Sequence, residues 1–176
     1  TNDGPTITHA IASMKAGGGT AFLDGLREAT ELLEGLEGRR AVILITDGYD
    51  ENSTSTVEEV LKSADGAQAT IYVVGVGGVA GISLKGEYLL RRIADETGGR
   101  IFFPPREPDL VTVANSVATD AHSRYLITYT PANQKRDGSW RQIAVDVPGG
   151  LKVRTRAGYF APSPPPIRPT TRPSTD

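Results

Sequence analysis

The spacing of hydrophobic residues changes several times along this chain, and each spacing predicts a helix or a strand. Apolar residues that recur every three to four positions predict an amphipathic helix after a glycine-rich loop, namely Phe22, Leu26, Ala29, Leu33 and Leu36. Ala41–Thr46 is a continuous, mostly β-branched run, which is typical of a strand buried on both faces of a parallel sheet. Helical and strand patterns then alternate over 57–64, 71–76, 87–96, 100–103 and 108–121. This alternation predicts an α/β fold, with a mostly parallel sheet flanked by helices.

Two of the predicted helices carry starting signals. Thr20 stands where the N-cap of the helix at Phe22 belongs, and a threonine hydroxyl can accept a hydrogen bond from a free helical N–H. Ser55–Glu58 fits a capping box for the helix that starts near Val57.

The pattern changes at Tyr125. The run 125–130 predicts a strand, and alternating apolar and polar residues over 142–147 and 151–156 predict an antiparallel hairpin beside the α/β unit. The stretch 163–176 is rich in proline, serine and threonine, which predicts an extended linker or a disordered terminus. We therefore expect an α/β unit over 1–124, an appended β-hairpin segment over 125–162 and a disordered tail over 163–176.

Composition narrows the functional classes. The formal net charge is −2 with both signs interspersed, so nothing indicates nucleic-acid binding. The chain contains no cysteine, and no apolar stretch is long enough to span a membrane. His9 and His122 have no partner at a catalytic spacing, and no Gly-x-Ser-x-Gly motif is present. We therefore expect a protein that is not an enzyme.

The candidate site combines two loops. Asp47 follows the strand Ala41–Thr46 directly, and ligands of open α/β sheets bind just outside the carboxyl ends of strands. Thr20 could supply a hydroxyl that faces this carboxylate, and such oxygens suit Mg²⁺. Two simpler interpretations stay open, since Asp-Gly is an ordinary turn and Thr20 is an ordinary cap. The stretch 50–52 is expected to be a solvated loop, in preference to one that contacts a ligand or supports the ligand-binding residues. Asp24 could either hydrogen-bond near the loop or face solvent.

Taken together, these segments resemble the von Willebrand factor A domain. The resemblance rests on Met14–Asp24, Ile45–Gly48 and Ile71–Gly77, in that order and spacing. Within that family the chain resembles a bacterial, Acidobacteria-type group with an extra segment after the domain, similar here to Tyr125–Pro131 and Val153–Pro162.

The resemblance implies a Rossmann-like sheet and a protein-interaction function of the adhesion type. It also implies a metal site in which Thr20 and Asp47 are ligands of Mg²⁺ or Mn²⁺ and a partner protein's acidic residue completes the coordination. A scaffold or subunit of a chelatase-like or secretion-associated ATPase assembly is the alternative, and a hydrolase on a generic α/β scaffold is a third class. By resemblance alone, the location is expected to be secreted or periplasmic.

One family motif has no counterpart in this chain. The family's metal site begins with Asp-x-Ser-x-Ser after its first strand, whereas the nearest string here is Glu51–Ser55, which lies after the wrong strand. We therefore expect the first part of the domain, with its central strand, to be missing from this sequence. Metal is expected to bind in the intact parent and poorly in this piece.

Overall fold

Two helices come first along the chain, and from Phe22 to His122 helices and strands then alternate. The structure is a computed structural model that describes residues 3–15, 17–76, 84–106 and 108–164. The helices are α1 (Gly4–Ser13), α2 (Phe22–Leu33), α3 (Val57–Gly66), α4 (Leu84–Glu96) and α5 (Asp109–His122). The strands are β1 (Ala41–Thr46), β2 (Thr70–Gly75), β3 (Ile101–Phe102), β4 (Trp140–Gln142) and β5 (Gly158–Phe160).

Three parallel strands form the main sheet, in the order β1-β2-β3. Along β1 and β2 the register runs from Ala41 opposite Thr70 to Thr46 opposite Gly75. All six residues of β2 are buried, as expected for the central strand of a covered parallel sheet. The predicted α/β class with a parallel sheet flanked by helices is therefore confirmed.

The core lies between this sheet and three helices. Leu26 of α2, Val60 of α3 and Ile93 of α4 pack in one buried cluster with Ile71 and Val73 of β2. The helical patterns over 57–64 and 87–96 correctly predicted helices with one buried face. In α2, Phe22 and Leu26 are buried as predicted, but Leu36 lies beyond the end of the helix and is 53% exposed. Burial of these faces anchors the loops that precede α2 and α3.

β1 differs from its prediction. Val42 and Leu44 pack against the core, but Ile43 and Ile45 on the opposite face are 53% and 64% exposed. Among the described residues β1 pairs only with β2, so one of its edges has no partner strand. The expectation of a strand buried on both faces is therefore wrong. An apolar run indicates that a strand can be buried, but burial also requires an element that packs against each face, and the outer face of β1 has none among the described residues.

The capping box of α3 lies one residue later than predicted. Thr56 is the N-cap, its side chain accepts from the Glu59 amide, and the Glu59 carboxylate accepts from the Thr56 amide. Ser55 and Thr56 are both followed by glutamate three positions on, so the sequence alone left the frame ambiguous. The Ser55 hydroxyl instead accepts a hydrogen bond from Arg27 Nε at 3.0 Å.

The segment after α5 is less regular than predicted. Residues 125–130 are exposed and form no strand, because they find no partner strand within the described residues. The hairpin strands predicted over 142–147 and 151–156 are also wrong, because the antiparallel pair is β4 with β5, which lies outside both ranges except at Gln142. Asp65 of α3 accepts from Arg156 Nη1 and the Phe160 amide, both at 2.8 Å, so the hairpin lies beside the α/β unit as expected. The predicted tail lies outside the described residues from 165 onward.

The described helices are short. The longest of them, α5, has 14 residues, whereas a membrane-spanning helix needs about 20. Within the part of the chain that the structure describes, no helix combines the length and the apolar character that crossing a bilayer requires.

Candidate functional site

Asp47 lies at the carboxyl end of β1, where the strand turns into a polar loop. The Thr46 hydroxyl accepts from the Gly48 amide at 3.1 Å, and Gly48 adopts a φ of 90°, which favours glycine. Asp47 itself is exposed, and its Oδ1 lies 3.5 Å from the Tyr49 amide. At that distance the contact is weak, so the carboxylate oxygens are free to meet a ligand from solvent.

Thr20 lies beside the loop that follows Asp47. Its main-chain carbonyl accepts from the amides of Glu51 at 2.9 Å and Asn52 at 3.0 Å. Among the described residues its hydroxyl has no hydrogen-bond partner, and the N-cap of α2 is Ala21, without a side-chain cap. The prediction that Thr20 caps α2 is therefore wrong, and its hydroxyl is left available for another ligand.

The carboxylate of Asp50, in the loop after β1, caps α2 in place of Thr20. Asp50 Oδ2 accepts from the Leu23 amide in the first turn of α2 at 2.9 Å and from the Ser53 hydroxyl at 2.8 Å. Its Oδ1 accepts from the Ser53 amide at 3.0 Å. The expectation of a merely solvated loop over 50–52 does not hold for Asp50, because a carboxylate at a helix N-terminus meets free N–H groups and the positive end of the helix dipole.

Asp24 bonds in the reverse direction, from α2 to the loop. Its carboxylate accepts from the amides of Thr54 at 3.0 Å and Ser55 at 2.8 Å. Hydrogen bonding from the Ser55 side chain, followed by these amides, lowers the pKa of Asp24 to about 2. The structure thus decides between the two interpretations of Asp24 in favour of hydrogen bonding to the loop.

The two loops also approach each other closely at Gly19. An added side chain there would overlap the side-chain amide of the exposed Asn52, which would have to move aside. Sequence reasoning missed this contact and the Asp50 cap, since both join residues about thirty positions apart. The one available signal was the density of Asp, Asn and Ser residues over 50–55, which are the residue types that cap helices and turns.

Thr20 and Asp47 match a hard divalent cation in chemical type but not in number. A hydroxyl and a carboxylate are suitable oxygen ligands, yet Mg²⁺ requires near-octahedral coordination. Within the described ranges no group of three or more His, Asp or Glu residues could hold a metal ion. His9 and His122 lie on exposed positions of α1 and α5. The described residues therefore do not by themselves make a complete metal site.

The chain is similar to a known protein family and to solved structures. A family model described as the von Willebrand factor type A domain matches residues 1–116. No curated protein matches the chain.

Two solved bacterial structures share the fold. An aerotolerance-related membrane protein from Bacteroides fragilis superposes with a TM-score of 0.54 at 18% identity, covering 70% of this chain and 71% of that one. The conserved hypothetical protein BatB from Bacteroides thetaiotaomicron superposes with a TM-score of 0.52 at 21% identity, covering 68% and 70%. At these identities the likeness concerns the fold alone.

Proposed function

The chain belongs to the von Willebrand factor type A domain family, and from that premise we propose that it is an adhesion-type protein-interaction module rather than an enzyme. The family's fold is generally one of protein interaction, which agrees with a site built from loops on a rigid sheet. The specific contact surface is the part proposed here, namely the carboxyl edge of β1 and the adjoining start of α2.

The observation that carries the proposal is the state of Thr20 and Asp47. Both lie at the edge where α/β sheets bind ligands, and both keep polar side-chain oxygens that the described neighbours leave weakly bonded or unbonded. The carboxylates next to them, Asp24 and Asp50, are fully engaged in hydrogen bonds between the loops. The site therefore contains an exposed Asp47 and a half-buried Thr20 whose side-chain oxygens are weakly bonded or unbonded, beside two carboxylates that hold the loop to α2.

Metal dependence is a further part of the proposal. Thr20 and Asp47 are the residues of this chain that would contact Mg²⁺ or Mn²⁺, and the ion would supply a positive centre for an acidic partner side chain. Since two ligands form a weak site, the ion is expected to be held tightly only in a form of the protein that supplies further ligands. A secreted or periplasmic location is proposed with the adhesive function.

Selection of displayed peptides tests this function. A library of random peptides on phage is passed over the immobilised chain in millimolar Mg²⁺ and eluted with a chelator. Retained peptides should be enriched in Asp or Glu, and Asp47→Ala should lose them while keeping its circular dichroism, because Asp47 is exposed and contributes little to the core.

Asp95→Ala is the matched control. Asp95 is an exposed aspartate on α4, far along the chain from both loops, so its removal changes the net charge equally. Retention that survives both the chelator and Asp47→Ala would place the binding surface elsewhere on the domain.

A further inference from the structure

The start of α2 and the loop after β1 are joined by a closed ring of hydrogen bonds. The Asp24 amide donates to Ser53 Oγ at 3.1 Å, and the Ser53 hydroxyl donates to Asp50 Oδ2 at 2.8 Å. The same Asp50 oxygen accepts from the Leu23 amide at 2.9 Å, which returns the ring to its start. Two consecutive residues of α2 are thereby fixed to two residues of the loop.

The Asp24 carboxylate closes a second connection next to this ring. It binds the amides of Thr54 and Ser55, which come directly after Ser53. A carboxylate that accepts several N–H bonds forms charge-assisted hydrogen bonds, which are about twice as strong as neutral ones. Arg27 Nε, one turn further along α2, donates to the Ser55 hydroxyl at 3.0 Å and extends the connection.

The third connection reaches the candidate site itself. The Thr20 carbonyl accepts from the amides of Glu51 and Asn52, which lie in the same loop between Asp47 and Ser53. Loop 47–55 and the start of α2 are therefore bonded at three successive places. A shift of the loop at Ser53–Ser55 would also pull on the bonds to Thr20.

We propose that Asp24 is a positioning residue for the candidate site: by fixing loop 50–55 to α2, it holds the loop after Asp47 in register with Thr20 before any ligand arrives. The proposal rests on the function proposed above, because it assigns to Asp24 the task of pre-ordering that binding edge. Asp24 does not itself contact Thr20 or Asp47. A loop that is ordered beforehand loses less conformational entropy when a ligand binds, so binding costs less free energy.

Amide hydrogen exchange of single residues tests the coupling. In Asp24→Ala the amides of Glu51 and Asn52 should exchange about tenfold faster because loop opening becomes easier, although both amides donate to the Thr20 carbonyl and not to Asp24. A local role would accelerate only Thr54 and Ser55, whose amides lose their acceptor directly. Acceleration confined to those two amides would overturn the proposal.

Two controls keep the result interpretable. Glu28→Ala removes an exposed carboxylate one turn further along α2 and should leave the amides of Glu51 and Asn52 unchanged. The Val73 amide, which bonds to the Arg100 carbonyl in the sheet, reports whether the fold persists. If Asp24→Ala does not fold, Asp24→Asn replaces it, because it keeps one acceptor oxygen and should give a smaller acceleration at the same two amides.

The measurement needs neither an ion nor a partner. A failure of the proposed binding function, which the peptide selection detects, is therefore distinguishable from a failure of the coupling, which only the exchange rates detect. Equal exchange at Glu51 and Asn52 in the wild type and in folded Asp24→Ala would contradict the positioning role.

Discussion

At the scale of single residues, the site divides four polar side chains into two kinds. Thr20 and Asp47 are the ligand positions that the family resemblance implied, and their role in metal binding stays a prediction. Asp24 and Asp50 hold the loop after β1 to α2; the sequence left this role open for Asp24 and did not predict it for Asp50. Spacing along a chain reveals neighbours on one helix, whereas these bonds join residues far apart in sequence.

Asp24 should make stability depend on pH in the acid range. Its pKa is lowered to about 2 in the folded chain, against an ordinary 3.8. A lowered folded pKa stabilises the fold above the ordinary value, and this contribution disappears as the pH falls from about 4 to about 2. The free energy of unfolding, measured in urea across this range, should therefore fall more steeply for the wild type than for Asp24→Asn.

The comparison with Asp24→Asn isolates this group. Hydrogen bonds also lower the pKa of Glu58, Glu59 and Asp137, so the wild type alone would mix several carboxylates. Glu58 and Asp137 keep their surroundings in the variant and cancel in the difference. The Asp24 charge raises the pKa of Glu59, so the difference reports Asp24 together with its effect on Glu59. Parallel curves for the two proteins would show that the Asp24 carboxylate makes no net contribution.

At the scale of elements, the sequence predicted best where an apolar face was matched by a partner in the fold. The periodicities of α3 and α4 correctly gave the helices and their buried faces, whereas that of α2 gave the helix but extended it to the exposed Leu36. The sequence predicted poorly where strand formation or burial depends on a neighbouring element that the fold does not provide. Residues 125–130 have the composition of a strand but lie exposed, and β1 is buried on one face only. Strand propensity describes how well residues fit into a sheet, so a strand forms only where a neighbouring strand is available for pairing.

The free edge of β1 predicts self-association. Unpaired backbone N–H and C=O groups next to exposed Ile43 and Ile45 form a template for another strand. We expect light scattering to report species larger than the monomer, and thermal melting to be broad. Ile45→Lys should reduce the association, because a lysine at a sheet edge opposes edge-to-edge pairing.

Leu32→Lys serves as the matched control for this experiment. Leu32 is a 79% exposed leucine on α2, so the variant gains the same charge away from the edge of β1 and should associate like the wild type. A wild-type monomer with one sharp, cooperative transition would mean that the chain closes its own sheet. The prediction of self-association through the free edge of β1 would then be wrong.

At the scale of the whole molecule, the fold and the family could be inferred from the amino-acid sequence. The order and spacing of three motifs indicated the von Willebrand factor A family, and the family model covers residues 1–116. The internal bonding of the site could not be inferred, because it depends on the folded loop conformations. The central claim of the proposed function is that the side-chain oxygens of Thr20 and Asp47 bind the metal ion that an acidic partner residue contacts.

Paramagnetic broadening by Mn²⁺ tests that claim most directly. During a titration of the chain with Mn²⁺, the amide signals nearest Thr20 and Asp47 should broaden first and saturate only at high concentrations, because two ligands make a weak site. Asp47→Ala should abolish this local broadening, while Asp95→Ala should preserve it. Broadening that begins elsewhere, or tight binding that Asp47→Ala leaves unchanged, would contradict the proposed site.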